Sequence, residues 1–302
     1  GGNLSFPPFH PFHNLKRNPW SKFDHGFLDN LRKHQRGVFF FYFLDEEKWL
    51  EVEPHLKENI VKIPLEGVFM KTIGLIGGMS WESSLLYYQI INQRVNKKLG
   101  GHHSAKSLMY SVDFDEIKNL QYQGKWSEAT KIMTDSAHKL ESGGADFIVI
   151  CTNTMHKMAK EVEESVTIPL LHIADSTAKE IVKDGIKKVA LLGTAFTMEQ
   201  DFYKGRLIDK FGLDVIVPDE ADRMIIHNII YQELCLGIIN DESRQSYLRI
   251  INKLSQQGAE AIILGCTEIT LLVSQENCGV PLYDTTRLHA ESAVDFALGE
   301  DG

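Results

Sequence analysis

Gly144-Ala-Asp-Phe-Ile-Val-Ile-Cys-Thr152 and Gly258-Ala-Glu-Ala-Ile-Ile-Leu-Gly-Cys-Thr267 carry the same pattern: a turn, an unbroken apolar run, then a cysteine–threonine pair. Neither run alternates polar with apolar residues, the pattern of a parallel strand covered on both faces. Two more pairs frame them. Lys71-Thr-Ile-Gly-Leu-Ile-Gly-Gly-Met79 matches Lys188-Val-Ala-Leu-Leu-Gly-Thr-Ala195, and Ile168-Pro-Leu-Leu171 matches Val280-Pro-Leu-Tyr283. The copies keep nearly constant spacing: Gly77 and Gly193 are 116 residues apart, Cys151 and Cys266 115, and Pro169 and Pro281 112. Such a repeat predicts two similar doubly wound α/β domains with parallel sheets, related by a pseudo-twofold axis. The cleft between them is the expected active site.

Working outward, Ile73–Ile76 reads as a buried strand, and Ser80 caps a helix running to Lys98. A strand at Ser107–Val112, a helix over Ser127–Glu141 and a strand at Phe147–Ile150 follow, the last leading into a helix that ends near Glu163. The second half repeats the order: a strand at Val189–Leu192, a helix from near Met198, a strand at Asp214–Val217, helices between Asp222 and Leu254, and strands at Ala261–Leu264 and Val280–Tyr283. A closing helix over Leu288–Leu298 has no strand after it, so we expect it to return to the first half. The expected division is an extension at 1–69, a first domain at 70–168 plus 284–302, and a second at 169–283.

The extension shares nothing with the repeat. It reads as an appendage, a lid, a dimer contact or sequence upstream of a start at Met70, and its run Val38-Phe-Phe-Phe-Tyr-Phe-Leu44 reads as a buried strand, too short for a bilayer span of ~20 residues. The chain as a whole, 302 residues with 43% hydrophobic and 24% charged, has globular composition. Its net charge of −9 excludes a general binder of nucleic acid or anionic membrane and favours small-molecule partners. Four cysteines, at 151, 235, 266 and 278, have no metal-type spacing and suit a reducing, cytoplasmic setting. No metal is expected.

In parallel α/β sheets, ligands bind at the carboxyl ends of strands, where both Cys-Thr pairs fall. A helix N-terminus there would favour a thiolate. Cys151 and Cys266 are therefore read as chemical groups, whereas Cys235 and Cys278 are read as structural. Met79, at the end of a glycine-rich turn that lacks the G-x-G-x-x-G pattern, is expected to wall the cleft. Thr152, Asn153, Thr154, Thr194 and Thr267 supply short donors suited to a carboxylate, and Glu268 suits either an ammonium or a helix cap. His156 and His172 read as structural.

These motifs, from Met70 to Gly299, resemble the aspartate/glutamate racemase family, and within it the branch of broad-specificity amino-acid racemases. The carriers are Ile73-Gly-Leu-Ile-Gly-Gly-Met-Ser-Trp-Glu-Ser83, Ser111-Val-Asp-Phe-Asp-Glu-Ile117, Cys151-Thr-Asn-Thr-Met-His156, the stretch Gly193–Arg206, and Leu264-Gly-Cys-Thr-Glu-Ile269. The resemblance implies a homodimeric racemase needing no cofactor, with Cys151 and Cys266 as opposed acid and base. It implies Gln121 and Lys204 at the substrate's side-chain end. The loop after the second strand has no arginine, so strict aspartate specificity does not follow. Two alternatives stand beside it: a related two-cysteine isomerase or decarboxylase acting on maleate, arylmalonate or a hydantoin, and a non-catalytic binding protein on the same scaffold.

Overall fold

A computed structural model describes residues 69–300. The expectations for the extension, including its strand at 38–44, fall outside the described residues. Within them lie two four-stranded sheets, all pairings parallel. The first has the order β2-β1-β3-β4, from β1 (Ile73–Gly77), β2 (Ser107–Ser111), β3 (Phe147–Ile150) and β4 (Leu170–Leu171). The second has the order β6-β5-β7-β8, from β5 (Lys188–Gly193), β6 (Asp214–Ile216), β7 (Ala261–Gly265) and β8 (Leu282–Asp284). In each the first strand of the repeat is central and the chain winds to one side, then to the other. Both faces are thereby covered, and β1, β3 and β7 are buried along their whole length.

The helices of the first half are α1 (Trp81–Leu99), α2 (Phe114–Tyr122), α3 (Trp126–Ser142) and α4 (Ala159–Ser165). Then come α5 (Ile173–Lys183), α6 (Ala195–Glu199), α7 (Asp201–Phe211), α8 (Glu220–Gln232), α9 (Asp241–Gln256) and α10 (Thr285–Ala297). The helix α2 stands where the sequence suggests a loop, because Asp113 caps it by accepting the Asp115 N–H at 3.1 Å. Between α8 and α9, Gly237 adopts a left-handed conformation after a single 3-10 turn, Leu234–Leu236, which ends the helix.

The two halves are locked by the same device. Asp146 donates its N–H to the Thr72 carbonyl and accepts the Thr72 N–H on its carboxylate; Glu260 does the same at Lys188. Thr72 thus corresponds to Lys188 and Asp146 to Glu260, and the ladders agree: Ile73 pairs with Phe147 as Val189 pairs with Ala261.

The halves also exchange their last helices. After β4 in the first sheet, α5 packs Ile173, Ala174, Ala178 and Ile181 into the core under the second sheet. After β8 in the second sheet, α10 returns Ala290, Ala293, Val294 and Ala297 to the first-sheet core, beside Ile73, Leu75 and Tyr87. Arg94 of α1 pairs with Asp295 at 2.6 Å, and Tyr87 meets His289 Nδ1 at 2.8 Å. The chain therefore changes sheets at His172 and at Asp284, each of which caps the helix that follows. The expected junction at 168/169 lies one strand early: a two-residue strand carries no periodicity by which to be read, yet Leu170 and Leu171 pair with Ile148 and Val149.

Candidate active site

The carboxyl ends of the two sheets meet at a small enclosed cavity of about 30 Å³. Hydroxyl, amide and carboxylate groups line it from Thr152, Thr154, Thr194, Gln121 and Glu268, together with the Cys266 thiol. The remaining wall is apolar: Met79, Phe114, Met155, Ile230, Tyr231 and Cys235. No lysine or arginine among the described residues lines it.

Cross-lobe hydrogen bonds hold the cavity shut. Ser80 Oγ donates to Glu268 Oε1 at 3.0 Å, Thr154 and Thr194 hydroxyls meet at 3.2 Å, and Ser83 meets Thr267 at 3.0 Å. Within the first lobe Asn153 Nδ2 donates to Thr285 Oγ1 at 3.0 Å, and Thr285 Oγ1 in turn donates across to the Leu264 carbonyl at 2.9 Å. Ser80 and Thr194 are also matching helix caps, each accepting the N–H three residues on at 3.3 Å. Gly78, at a φ of 91°, brings the turn before Ser80 so close to the Val112 carbonyl that a Cβ would lie 2.1 Å from it.

Seven of the eleven sequence candidates reach the cavity. Asn153 and Thr267 stand behind its wall and pin the lobes, Thr267 through Ser83 and through Thr286 at 2.7 Å. Lys204 lies on α7 with its ammonium 4.0 Å from Asp201 and does not line the cavity. Cys151 does not line the cavity. It is fully buried, its sulfur 4.0 Å from the Val149 carbonyl, and it packs with Phe147, Val149 and Tyr87 in the first core, because it continues the inward alternation of β3. Cys235, read from sequence as structural, is part of the wall. Its signal was hidden because nothing in Glu-Leu-Cys-Leu-Gly says that a helix ends there and turns toward the site.

The expected α-helix N-terminus does not directly follow either cysteine. Each Cys-Thr pair leads into a 3-10 turn, Thr154–Met158 or Thr267–Leu271, and not into an α-helix whose dipole would stabilise the anion. Burial pushes the Cys151 thiol far up, and burial followed by the Glu268 carboxylate does the same to Cys266. Cys235 is pushed up to about 12, mainly by burial. The Cys266 thiol donates to Glu268 Oε2 at 3.0 Å.

On the other side, His156 holds the Thr152 loop. Its Nδ1 donates to the Thr152 carbonyl at 2.8 Å and its Nε2 accepts the Ile173 N–H at 3.2 Å. His172 and His289 pack against its ring, and burial keeps all three imidazoles neutral.

Paired doubly wound lobes close a thiol, a carboxylate and several hydroxyls into one cavity, an arrangement suited to moving protons in a site that the lobes shield. Residues 76–293 match the Asp/Glu/hydantoin racemase family, and the chain belongs to that family. It is 25% identical over 239 residues to the broad-specificity amino-acid racemase RacX of Bacillus subtilis (strain 168), across 75% of this chain and 98% of that one. The crystal structure of a Yersinia pestis protein assigned as an Asp/Glu racemase is 55% identical, superposes with a TM-score of 0.73, and covers 76% of this chain and 100% of its own. An aspartate racemase homologue from Pyrococcus horikoshii OT3 is 34% identical with a TM-score of 0.67, covering 76% of this chain and 99% of its own.

Proposed function

We propose that the protein is a cofactor-independent amino-acid racemase in which the Cys266 thiol exchanges protons with the substrate Cα on one face. The observation that carries this reading is the Cys266–Glu268 contact inside the cavity. Glu268 Oε2 already accepts the S–H, so it is placed to take that proton as the thiolate forms and to return it afterwards. Glu268 is thereby read as the partner of Cys266 and not as the reader of the substrate ammonium. Hydroxyls of Thr152, Thr154 and Thr194 supply donors for the α-carboxylate, where charge grows as the Cα–H bond breaks.

The cavity is much smaller than an amino acid; about 30 Å³ has room for about two waters. Substrate entry therefore requires the lobes to part, and the serine and threonine bridges are the contacts that reclose over it. Closure excludes water from a carbanion with no cofactor to delocalise it.

For the side chain, the wall of Phe114, Ile230, Tyr231 and Cys235 supports uncharged amino acids over aspartate or glutamate, since Lys204 lies elsewhere. A homodimer fits the same reading. Trp81, Leu85 and Tyr88 form an exposed stripe on α1, 66%, 55% and 50% accessible, that a second copy would cover. The primary test is deuterium incorporation at Cα, in heavy water, across a panel of L- and D-amino acids. Incorporation that disappears in a folded Cys266→Ala variant supports the reading; incorporation that survives it rejects Cys266 as the base.

A further inference from the structure

We infer that the cleft opens along one edge only, where α2 and the turn after it form a gate held by an aromatic clasp, and that this clasp sets the size of side chain over which the site can shut. The size limit rests on the racemase reading above; the gate does not.

Strand order locates the opening. In each sheet the strand that leads into the crossing, β4 or β8, lies at one edge, and β2 or β6 lies at the other. The lobes are thus joined along the β4 and β8 edges and free along the β2 and β6 edges. Buried side chains fasten the joined side: Thr285 Oγ1 donates to the Leu264 carbonyl at 2.9 Å, Thr267 meets Thr286 at 2.7 Å, and His156 Nε2 accepts the Ile173 N–H at 3.2 Å.

On the free side α2 follows β2, α8 follows β6, and the two helices meet. Tyr122 packs against Tyr231 with ring centroids 5.7 Å apart, and the Tyr231 hydroxyl donates to Gln121 Oε1 at 3.4 Å. Just beyond, at the start of α3, Trp126 stands edge to face with Phe196 of α6 at 5.3 Å. The Lys157 ammonium lies 4.4 Å over the Trp126 ring and donates to Gln200 across the lobes. His227 ties the second-lobe half of the clasp together: its ring centroid is 4.8 Å from that of Tyr231, and its Nδ1 accepts the Ala195 N–H at 3.2 Å. Tyr122 is exposed and Trp126, Phe196 and Tyr231 are half-buried, so water reaches these contacts and they part more readily than the buried ones. The helix α2 is lightly held as well. Only Ile117 and Gln121 of its nine residues are buried, and the turn after it pivots on Gly124, at a φ of 67° with open space where a Cβ would stand.

The gate carries part of the cavity wall. Phe114 and Gln121, near the two ends of α2, line the cavity, and Tyr231 lines it from the other lobe. A substrate side chain short enough to fit beneath them lets the clasp shut, and the closed complex gains the clasp's contacts. A longer one holds α2 out and forfeits them. The clasp therefore favours small substrates by the free energy of its own contacts, because only interactions that differ between the two complexes can discriminate them.

Two measurements on the full chain test this. The first needs no substrate: alkylation of Cys266 by iodoacetamide, followed by mass spectrometry of its peptide, reads how often the cleft is open. Trp126→Ala and Tyr122→Ala are each expected to speed labelling at least about fivefold, because opening exposes the sulfur and relieves the burial that suppresses its thiolate. Trp126→Phe, which keeps the edge-to-face pair, and Met224→Ala, exposed on α8, are expected to stay within about twofold of wild type. The second measurement compares kcat/KM for alanine and methionine. Trp126→Ala is expected to lower the alanine value at least about fivefold and the methionine value less than about twofold. Trp126→Ala and Tyr122→Ala proteins that are folded but label at the wild-type rate overturn the gate. Equal losses for alanine and methionine overturn the size limit. An absence of exchange at Cα with any amino acid removes the racemase reading and the size limit with it, and the labelling rates still decide the gate.

Discussion

The loop after β3 and the loop after β7 leave their sheets at the same register and arrive with different contents. The second presents a thiol backed by the Glu268 carboxylate; the first presents a hydroxyl, with an imidazole gripping the adjacent carbonyl and a cysteine turned into the core. The two strands start alike, each locked by an acid, and both loops lead into a 3-10 turn. What differs is which side of the strand a given residue type occupies. A repeat preserves positions, and the chemistry is free to diverge at them.

The largest way to break the comparison is Cys266→Ala. It removes the base from the second loop, and turnover is expected to fall at least ~10⁴-fold, about 5.5 kcal/mol of transition-state stabilisation; steady-state racemisation assays on a protein with unchanged circular dichroism check it.

Acid comes next, because it acts on one loop only. The imidazoles that support Thr152 are depressed by burial, His289 to about 4 and His172 to about 2. Arg206 and Lys210 lie near His172, and Asp175 beside them pushes His289 weakly the other way. The unfolded chain, with histidines near pKa 6.5, takes up protons that the folded chain refuses. Their stability contribution is therefore full above about pH 6.5 and is lost progressively as pH falls toward 4. From pH 7 to pH 5 these two histidines together are expected to cost about 4 kcal/mol. Urea midpoints measured at both pH values check this, and no change would mean that the imidazoles are not buried neutral.

Glu268→Gln should sharpen the contrast by leaving Cys266 without a proton acceptor. A loss of about 100-fold in kcat is expected, with the pH profile displaced toward acid values because the charge that raises the Cys266 thiol is gone. A fall in affinity with kcat unchanged would return Glu268 to ammonium recognition.

The side-chain wall gives a smaller effect. Aspartate is expected to be at least about tenfold poorer in kcat/KM than homoserine or methionine, as an unpaired carboxylate buried against Phe114 and Ile230 should be. Efficient aspartate turnover would mean that a cation reaches the cavity on closure. Removing residues 1–69 should change kcat/KM least, less than about twofold, since the Yersinia and Pyrococcus proteins are covered almost end to end by the remainder. A tenfold loss would make the extension part of the working site.

The strands and the central position of the site were legible because buried parallel strands leave continuous apolar runs, and Ile148–Ile150 and Ile262–Leu264 are such runs. The chemical letters were legible too, but not their facing. Cys-Thr follows both runs, yet the first run reaches its strand end one residue earlier in the motif, and only the ladder of Ile73 with Phe147 and Val189 with Ala261 fixes that frame. Phe114, Ile230, Tyr231 and Cys235 went unread because they come from α2, from α8 and from the 3-10 turn after it, elements brought to the cavity by tertiary packing that leaves no local pattern. Lys204 lies off the cavity for the related reason that a helix position says nothing about which neighbour its side chain meets.

The exchange of α5 and α10 has a consequence for how the protein is made. Synthesis finishes the first sheet at Leu171, but the helix that covers its Ile73, Leu75 and Val149 face begins only at Thr285. More than a hundred residues must be added before that face is sealed, so the first lobe cannot mature as an independent unit during translation. The apolar face waits, and chaperones have a defined surface to hold. A chain halted at residue 284 is expected to bind hydrophobic dye and to be cut rapidly by protease, and adding back a peptide of residues 285–298 should suppress both.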